Sequence, residues 1–203
     1  MQKVTLSSNS AKYSSSNPLK RILLDRFLFR LMTQIEKTEA SSLLDVGCGE
    51  GFVAQRILSK QSLDYTGVDL SDLAITHARQ QNPTGKFQCA SAYALPFQNN
   101  QFDASICVEV LEHLDEPEKA VEELCRVTKG TVIFSVPNEP FFQIGNLVGL
   151  SHISTLGNPP DHVNQWSTKT FKTFLSPFVA IQHVENPFPW QILTTTPLKP
   201  SSC

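Results

Sequence analysis

Strands and helices alternate along this chain, and the alternation predicts an α/β protein: a doubly wound, mostly parallel sheet with helices on both faces. Three observations carry that prediction. Apolar runs at residues 43–46, 65–69 and 102–108 each give way to a turn or a helical stretch. The first run, Leu43-Leu44-Asp45-Val46, closes on Gly47-Cys48-Gly49-Glu50-Gly51, where the lack of side chains lets a ligand lie across the backbone of a strand-to-helix turn. The second closes on Asp69, about 20 residues past the glycines, the distance at which doubly wound folds place an acid on ribose hydroxyls.

Taken in order, residues 1–17 are rich in Ser and Asn and read as a flexible N-terminal segment. Pro18 opens an amphipathic helix to Glu36, with Leu19, Ile22, Leu23, Phe27, Leu31 and Ile35 at helical spacing. It covers the edge or mouth of the sheet. Its Lys20, Arg21, Arg26 and Arg30 are a solvated face, or one that meets an acidic substrate or a membrane surface. After strand 43–46 comes a helix over 52–60, with Phe52, Val53, Ile57 and Leu58 on one face, and then strand 65–69. Ser71 caps a helix that Asn82-Pro83 stops. Strands follow at 86–90 and 102–108, a helix at 117–128 with Ala120, Val121, Leu124 and Val127 inward, and a fifth strand at 131–136. Beyond it the rhythm breaks: a helix over 168–175 precedes runs at 178–184 and 190–196, close enough to form an antiparallel hairpin. There is no internal repeat. The expected organisation is one domain over 18–203: the helix 18–36, a cofactor-binding core at 42–136, and a substrate-side segment with the hairpin at 137–203.

The 203 residues and 40% hydrophobic content suit one such unit with a real core. A net charge of -2 gives no general attraction to nucleic acid or anionic membrane. No apolar run approaches bilayer length and the polar start lacks a signal-peptide core, so the expected location is cytoplasmic. Five cysteines, Cys48, Cys89, Cys107, Cys125 and Cys203, form no C-x-x-C pair and read as reduced thiols, Cys48 serving packing in the loop.

The glycine spacing narrows the ligand. Gly47-x-Gly49-x-Gly51 lacks the longer gap of G-x-G-x-x-G and the Lys-Ser/Thr of a phosphate loop, so a pyrophosphate has no obvious cradle. Glu50 inside the loop suits a sulfonium and an ammonium group better than phosphate oxygens. The pattern points to a cationic cofactor.

With Leu43 to Gly51, Gly67-Val68-Asp69-Leu70-Ser71, Leu95-Pro96-Phe97, Phe102-Asp103 and Glu109-Val110-Leu111-Glu112-His113 in this order, residues 42–138 resemble the class I S-adenosylmethionine-dependent methyltransferases of type 11. The resemblance implies a Rossmann-like sheet of seven strands with the last antiparallel, S-adenosylmethionine as cofactor, and methyl transfer as the activity. Carried over by position, it places Asp45, Gly47, Gly49 and Gly51 at the methionyl end, Asp69 on the ribose hydroxyls and Leu70 against adenine. Ser91 and Ala92 fall at the adenine amine, where many relatives carry an acid; a hydroxyl accepts that hydrogen bond more weakly.

Glu109 to His113 begin where the fourth strand ends, at the carboxyl edge where open α/β sheets bind ligands. Two carboxylates and an imidazole within five residues can form a metal site or supply a base. The ubiquinone-pathway O-methyltransferases and the small-RNA 3′-terminal 2′-O-methyltransferases carry a similar Glu-x-x-Glu-His, and the latter add a histidine that matches His162 here. The resemblance thus implies Glu109, Glu112, His113 and His162 as ligands of a divalent metal such as Mg²⁺, which would lower the pKa of an acceptor hydroxyl. Two other readings stay open: His113, with Glu109 and His162, as a metal-free catalytic group, or Glu112 and His113 as loop-ordering residues. His77, His152 and His183 match no motif; Phe141-Phe142, Trp166 and Trp190 suit a substrate wall or the core equally.

The expected acceptor is a small or lipid-like molecule, possible through a hydroxyl oxygen, with peripheral membrane contact open and RNA disfavoured by the absence of a basic patch. The alternatives are a catalytically silent partner subunit of the same fold, suggested by Ser91, and an NAD-dependent oxidoreductase, opposed by the glycine spacing. The acceptor atom and the oligomeric state are not legible.

Overall fold

The structure, a computed structural model, describes residues 17–140 and 163–198. The expected flexible segment, apart from Asn17, therefore lies outside the described residues, as do Phe141, Phe142, His152, His162 and Cys203.

Helix α1 (Pro18–Glu36) starts where the Asn17 carboxamide oxygen accepts from the amides of Leu19 and Lys20, with proline at the first helical position. It buries Leu24, Phe27, Leu28, Leu31, Met32 and Ile35, but leaves Leu19 62% and Ile22 64% exposed. The sequence placed those two on the inner face; packing instead begins a turn later. Phe27 there meets Trp190 with ring centroids 4.9 Å apart.

The chain continues as β1 (Ser42–Val46), α2 (Phe52–Leu58), β2 (Asp64–Asp69), α3 (Asp72–Gln81), β3 (Lys86–Cys89) and β4 (Phe102–Val108). A single 3-10 turn (Leu111–His113) leads to α4 (Pro117–Val127), which runs without a loop into β5 (Thr128–Pro137). That strand starts three residues before the expected Thr131, because Phe102 pairs with Thr128 across an irregularity in the β4–β5 register. The C-terminal part is α5 (Thr168–Leu175), β6 (Val179–Glu185) and β7 (Trp190–Pro197).

The seven strands form one sheet in the order β3-β2-β1-β4-β5-β7-β6. β1 to β5 pair in parallel; β7 runs antiparallel to both β5 and β6. The predicted doubly wound α/β sheet with one reversed strand is thus the observed fold. Two apolar layers cover its faces, one built on α1, α2 and α3 and the other on α4 and α5. Trp166 and Trp190 belong to these layers, which settles them as core; Trp166 packs on Phe171 and Phe174 at 5.2 Å each.

Two motifs of the sequence turn out to hold the frame. Asp103 Oδ2 accepts from the amides of Ser41 and Ser42 and from the Ser42 hydroxyl, tying β4 to the start of β1 at the edge opposite the glycines. Those bonds, that of the Ser42 hydroxyl first, hold the Asp103 carboxyl below the usual range. Arg126 donates to the carbonyls of Leu95 and Phe97 while pairing with Glu123, and Glu123 also accepts from the Leu95 amide. That fork pins the Leu95-Pro96-Phe97 segment against α4. Among the described residues no helix is long and apolar enough to cross a membrane.

Candidate functional site

The strand order reverses between β1 and β4, and there an open α/β sheet leaves a crevice at the carboxyl ends of its strands. An open cavity of about 340 Å³ occupies that place. Its wall is drawn from the ends of four strands: Val46 and Gly47, Asp69 and Leu70, Ala90 to Tyr93, and Glu109, Val110, His113 and Leu114.

The glycine loop is clamped to the end of β2. The amides of Gly47 and Cys48 both donate to the Val68 carbonyl, at 2.8 and 3.0 Å. Asp69 closes the arrangement from its side chain: Oδ2 accepts from the Gly49 amide and Oδ1 from the Ser71 amide, each at 2.9 Å. A carboxylate oxygen accepts more than one hydrogen bond, so both retain capacity for ribose hydroxyls.

Gly47 and Gly51 answer different demands. Gly47 has φ +79°, and a Cβ there would come 2.2 Å from Val110 Cγ2, within the cavity wall. Gly51, at φ +83°, is the N-cap of α2. A Cβ on it would meet Asn82 Nδ2 at 2.5 Å and Ala78 at 3.2 Å, because the Asn82 amide donates to the Gly51 carbonyl to close α3 on the loop. Gly47 thus abuts the cavity wall, and Gly51 abuts α3.

The predicted cofactor residues divide accordingly. Gly47, Asp69, Leu70, Ser91 and Ala92 line the cavity, with Leu70 offering a side chain 75% exposed as a platform. Asp45, Gly49 and Gly51 are not among the residues of that wall. Asp45 is buried under the loop, 2% exposed, and Oδ2 accepts from the Tyr65 hydroxyl at 2.6 Å. Burial raises its carboxyl to about 7 despite the lowering effect of that hydrogen bond. Cys48 is also buried and burial pushes its thiol up, so it is a packing residue as expected.

On the acceptor side, Glu109 and His113 line the cavity, and Glu109 Oε1 accepts from the Ser135 hydroxyl at 3.2 Å. Glu109 sits at φ +58°, a conformation a non-glycine residue adopts at a cost of order 1–3 kcal/mol and one that clusters at functional sites. Glu112, within the 3-10 turn, is buried, 1% exposed. Among the described residues no three His, Cys, Asp or Glu side chains gather as for a metal ion. Of the expected ligands, Glu109 and His113 line the cavity and Glu112 is not part of its wall. His162 lies outside the described residues; the amides that follow it, of Val163 and Asn164, donate to the Glu112 carbonyl.

Several residues of the wall escaped the sequence reading. Tyr93, Val110 and Leu114 line the cavity, yet each looks like an ordinary core residue in the sequence. Tyr65 is likewise invisible as an Asp45 partner until the β1–β2 register, Asp45 beside Gly67, is known.

The strand order, the clamped glycine loop and the carboxylate at the end of β2 are those of the Rossmann-like methyltransferase fold, and the residues present fit the S-adenosylmethionine such folds bind: Gly47 opens the cradle that a Cβ would fill. Residues 44–136 match the family described as Methyltransferase domain. A ubiquinone biosynthesis O-methyltransferase of Coxiella burnetii (strain Dugway 5J108-111) is 33% identical over 121 residues, 56% of this chain and 51% of that protein. Another, from Methylococcus capsulatus, is 38% identical over 102 residues, 47% of this chain and 43% of that protein. The chain thus spans about half the length of the curated relatives it matches. Among solved structures, magnesium protoporphyrin IX methyltransferase from Synechocystis PCC 6803 with bound SAH matches with a TM-score of 0.71. The match covers 93% of this chain and 92% of that one at 17% identity, a likeness of fold.

Proposed function

We propose that this chain transfers a methyl group from S-adenosylmethionine to a hydroxyl oxygen of a small or lipid-like acceptor. The observation that carries the reading is the cavity itself, which joins Gly47, Asp69, Leu70 and Ser91 on one side to Glu109 and His113 on the other. The relatives named O-methyltransferases support oxygen as the acceptor atom.

When bound, S-adenosylmethionine supplies a methyl group already activated by its sulfonium. The chain's task is then chiefly orientation, which can supply much of the acceleration. Asp69 holds the ribose through oxygens already aligned by two backbone amides. Leu70 gives the adenine an apolar face, and Ser91 with Ala92 meets its edge. His113 accepts the acceptor's hydroxyl proton as general base. Glu109, held by Ser135, orients the acceptor beside it.

The test is calorimetric titration of S-adenosylhomocysteine, followed by assay of methyl transfer to phenols and catechols with apolar tails. Saturable one-site binding and O-methylated product are expected. Binding without transfer to any hydroxyl acceptor would favour a silent partner subunit, and no binding would overturn the cofactor assignment.

A further inference from the structure

Asp45 is one of a set of buried groups that the proposed reaction leaves unused. Its carboxyl lies at the centre of the sheet, one residue before Val46 and two before Gly47, both of which line the cavity. Every titratable group that faces it is acidic or neutral. Tyr65 and Asp69 approach from β2, Cys48 from the loop and Cys107 from β4. Among the described residues no lysine, arginine or histidine is a cause of the carboxyl's shift. An acid in such a place either keeps its proton or waits for a cation.

The hydrogen bonding of this carboxyl is one-sided. Among the described residues Tyr65 is its only hydrogen-bond partner, and it engages Oδ2 alone. The tyrosine is itself fixed. Its ring is buried and stands 5.6 Å from that of Phe87. Phe87 and Cys48 fill the space that a side chain at position 67 would take, with atoms 2.8 and 2.9 Å from an added Cβ. Burial first, then the neighbouring acids, hold the phenol proton firmly on Tyr65, so the hydroxyl donates and Asp45 accepts.

We propose that Tyr65 is a positioning residue for the cofactor: by donating to Oδ2 of Asp45, it turns Oδ1 toward the ammonium group of the methionyl end. The inference rests on the reading of the cavity as an S-adenosylmethionine site. It goes beyond that reading in giving Tyr65 a part, and in coupling cofactor binding to a proton. With the Asp45 carboxyl raised to about 7, part of the free protein carries the proton at neutral pH. The ammonium group selects the ionised form, so binding expels that proton. Affinity then climbs as the pH rises toward 7 and levels off above it. Removing the Tyr65 hydroxyl deletes the one interaction that lowers the Asp45 pKa, and displaces the whole profile to higher pH.

The experiment is calorimetric titration of wild type and Tyr65→Phe with S-adenosylhomocysteine between pH 6 and 8.5, in buffers of different ionisation enthalpy. 5′-Methylthioadenosine, which lacks the ammonium and carboxylate, serves as the control probe. For wild type the expected result is release of roughly half a proton at pH 7 and about a tenfold loss of affinity between pH 7.5 and 6. Tyr65→Phe should bind S-adenosylhomocysteine more weakly at pH 7, recover most of the loss by pH 8.5, and hold the control probe as wild type does. Equal weakening of both probes at every pH would overturn the proposal and make Tyr65 a core residue. Wild-type binding with neither proton release nor pH dependence would overturn it even if the variant failed to fold. Absence of binding at every pH would instead strike the reading of the cavity.

Discussion

The cavity has two halves that are built by different means. On the cofactor side, the loop and β2 are joined by main-chain hydrogen bonds and by Asp69, which spans 20 residues to reach the Gly49 amide. On the acceptor side, the turn that carries His113 is held from far along the chain: Asn164 donates to the carbonyls of Leu111 and Leu114, 53 and 50 residues away. Recognition of the cofactor is therefore written into local backbone geometry, which glycines and a strand end suffice to specify. The turn that carries His113 depends instead on a residue some 50 positions further along the chain. A family can keep the first and vary the second, in the way loops on a fixed scaffold carry changing specificity.

The sharpest break between the halves is His113→Ala. If the imidazole takes the acceptor proton, turnover should fall by about 10²- to 10⁴-fold, while S-adenosylhomocysteine affinity stays within about threefold. Rapid-quench turnover measured beside calorimetry separates the two. A parallel loss of cofactor affinity would mean that the turn belongs to the cofactor half.

The converse break is Asp69→Ala. It deletes the acceptor of two backbone amides as well as the ribose ligand, and charge-assisted bonds of this kind are worth about 1.5–3 kcal/mol each. S-adenosylhomocysteine affinity should drop by about 10²-fold or more, since about 1.4 kcal/mol is tenfold. Unchanged affinity in calorimetry would remove Asp69 from the site. Gly47→Ala should act more through strain than through contact, because the new methyl must displace Val110 at a residue held at φ +79°. A stability loss of about 1–3 kcal/mol in urea denaturation is expected, with a smaller loss of affinity than Asp69→Ala produces.

This contrast also explains what could be read from the sequence. The strands, the glycine turn and Asp69 were legible because apolar runs, positive-φ glycines and strand-end acids act over a few residues. Leu19 and Ile22 were placed wrongly, since helical spacing gives a face but not the point at which a neighbour begins to cover it. Glu112 looked like a ligand beside Glu109 and His113. The fold shows it buried while those two line the cavity. The Asp45–Tyr65 bond joins two strands, so it needs the register, and Arg126 anchors the Leu95-Pro96-Phe97 segment from another element altogether.

The smallest predicted effect tests whether the cofactor half is as complete as it can be. Ser91, which the resemblance places toward the adenine amine, has a hydroxyl that already accepts from the Tyr93 amide at 3.2 Å. That bond consumes part of a weak acceptor's capacity. Ser91→Asp would offer a charged acceptor with one oxygen for the Tyr93 amide and another for the amine. A hydrogen bond to a charged group exceeds one between neutral groups by about 1 kcal/mol, so S-adenosylhomocysteine should bind up to about fivefold tighter, with turnover on the acceptor changed little. The gain is bounded because a carboxylate must also lose water at a site beside Asp69 and Glu109. Weaker binding in the variant would show that desolvation and like-charge repulsion outweigh the new hydrogen bond, and that serine is the better fit to this cavity.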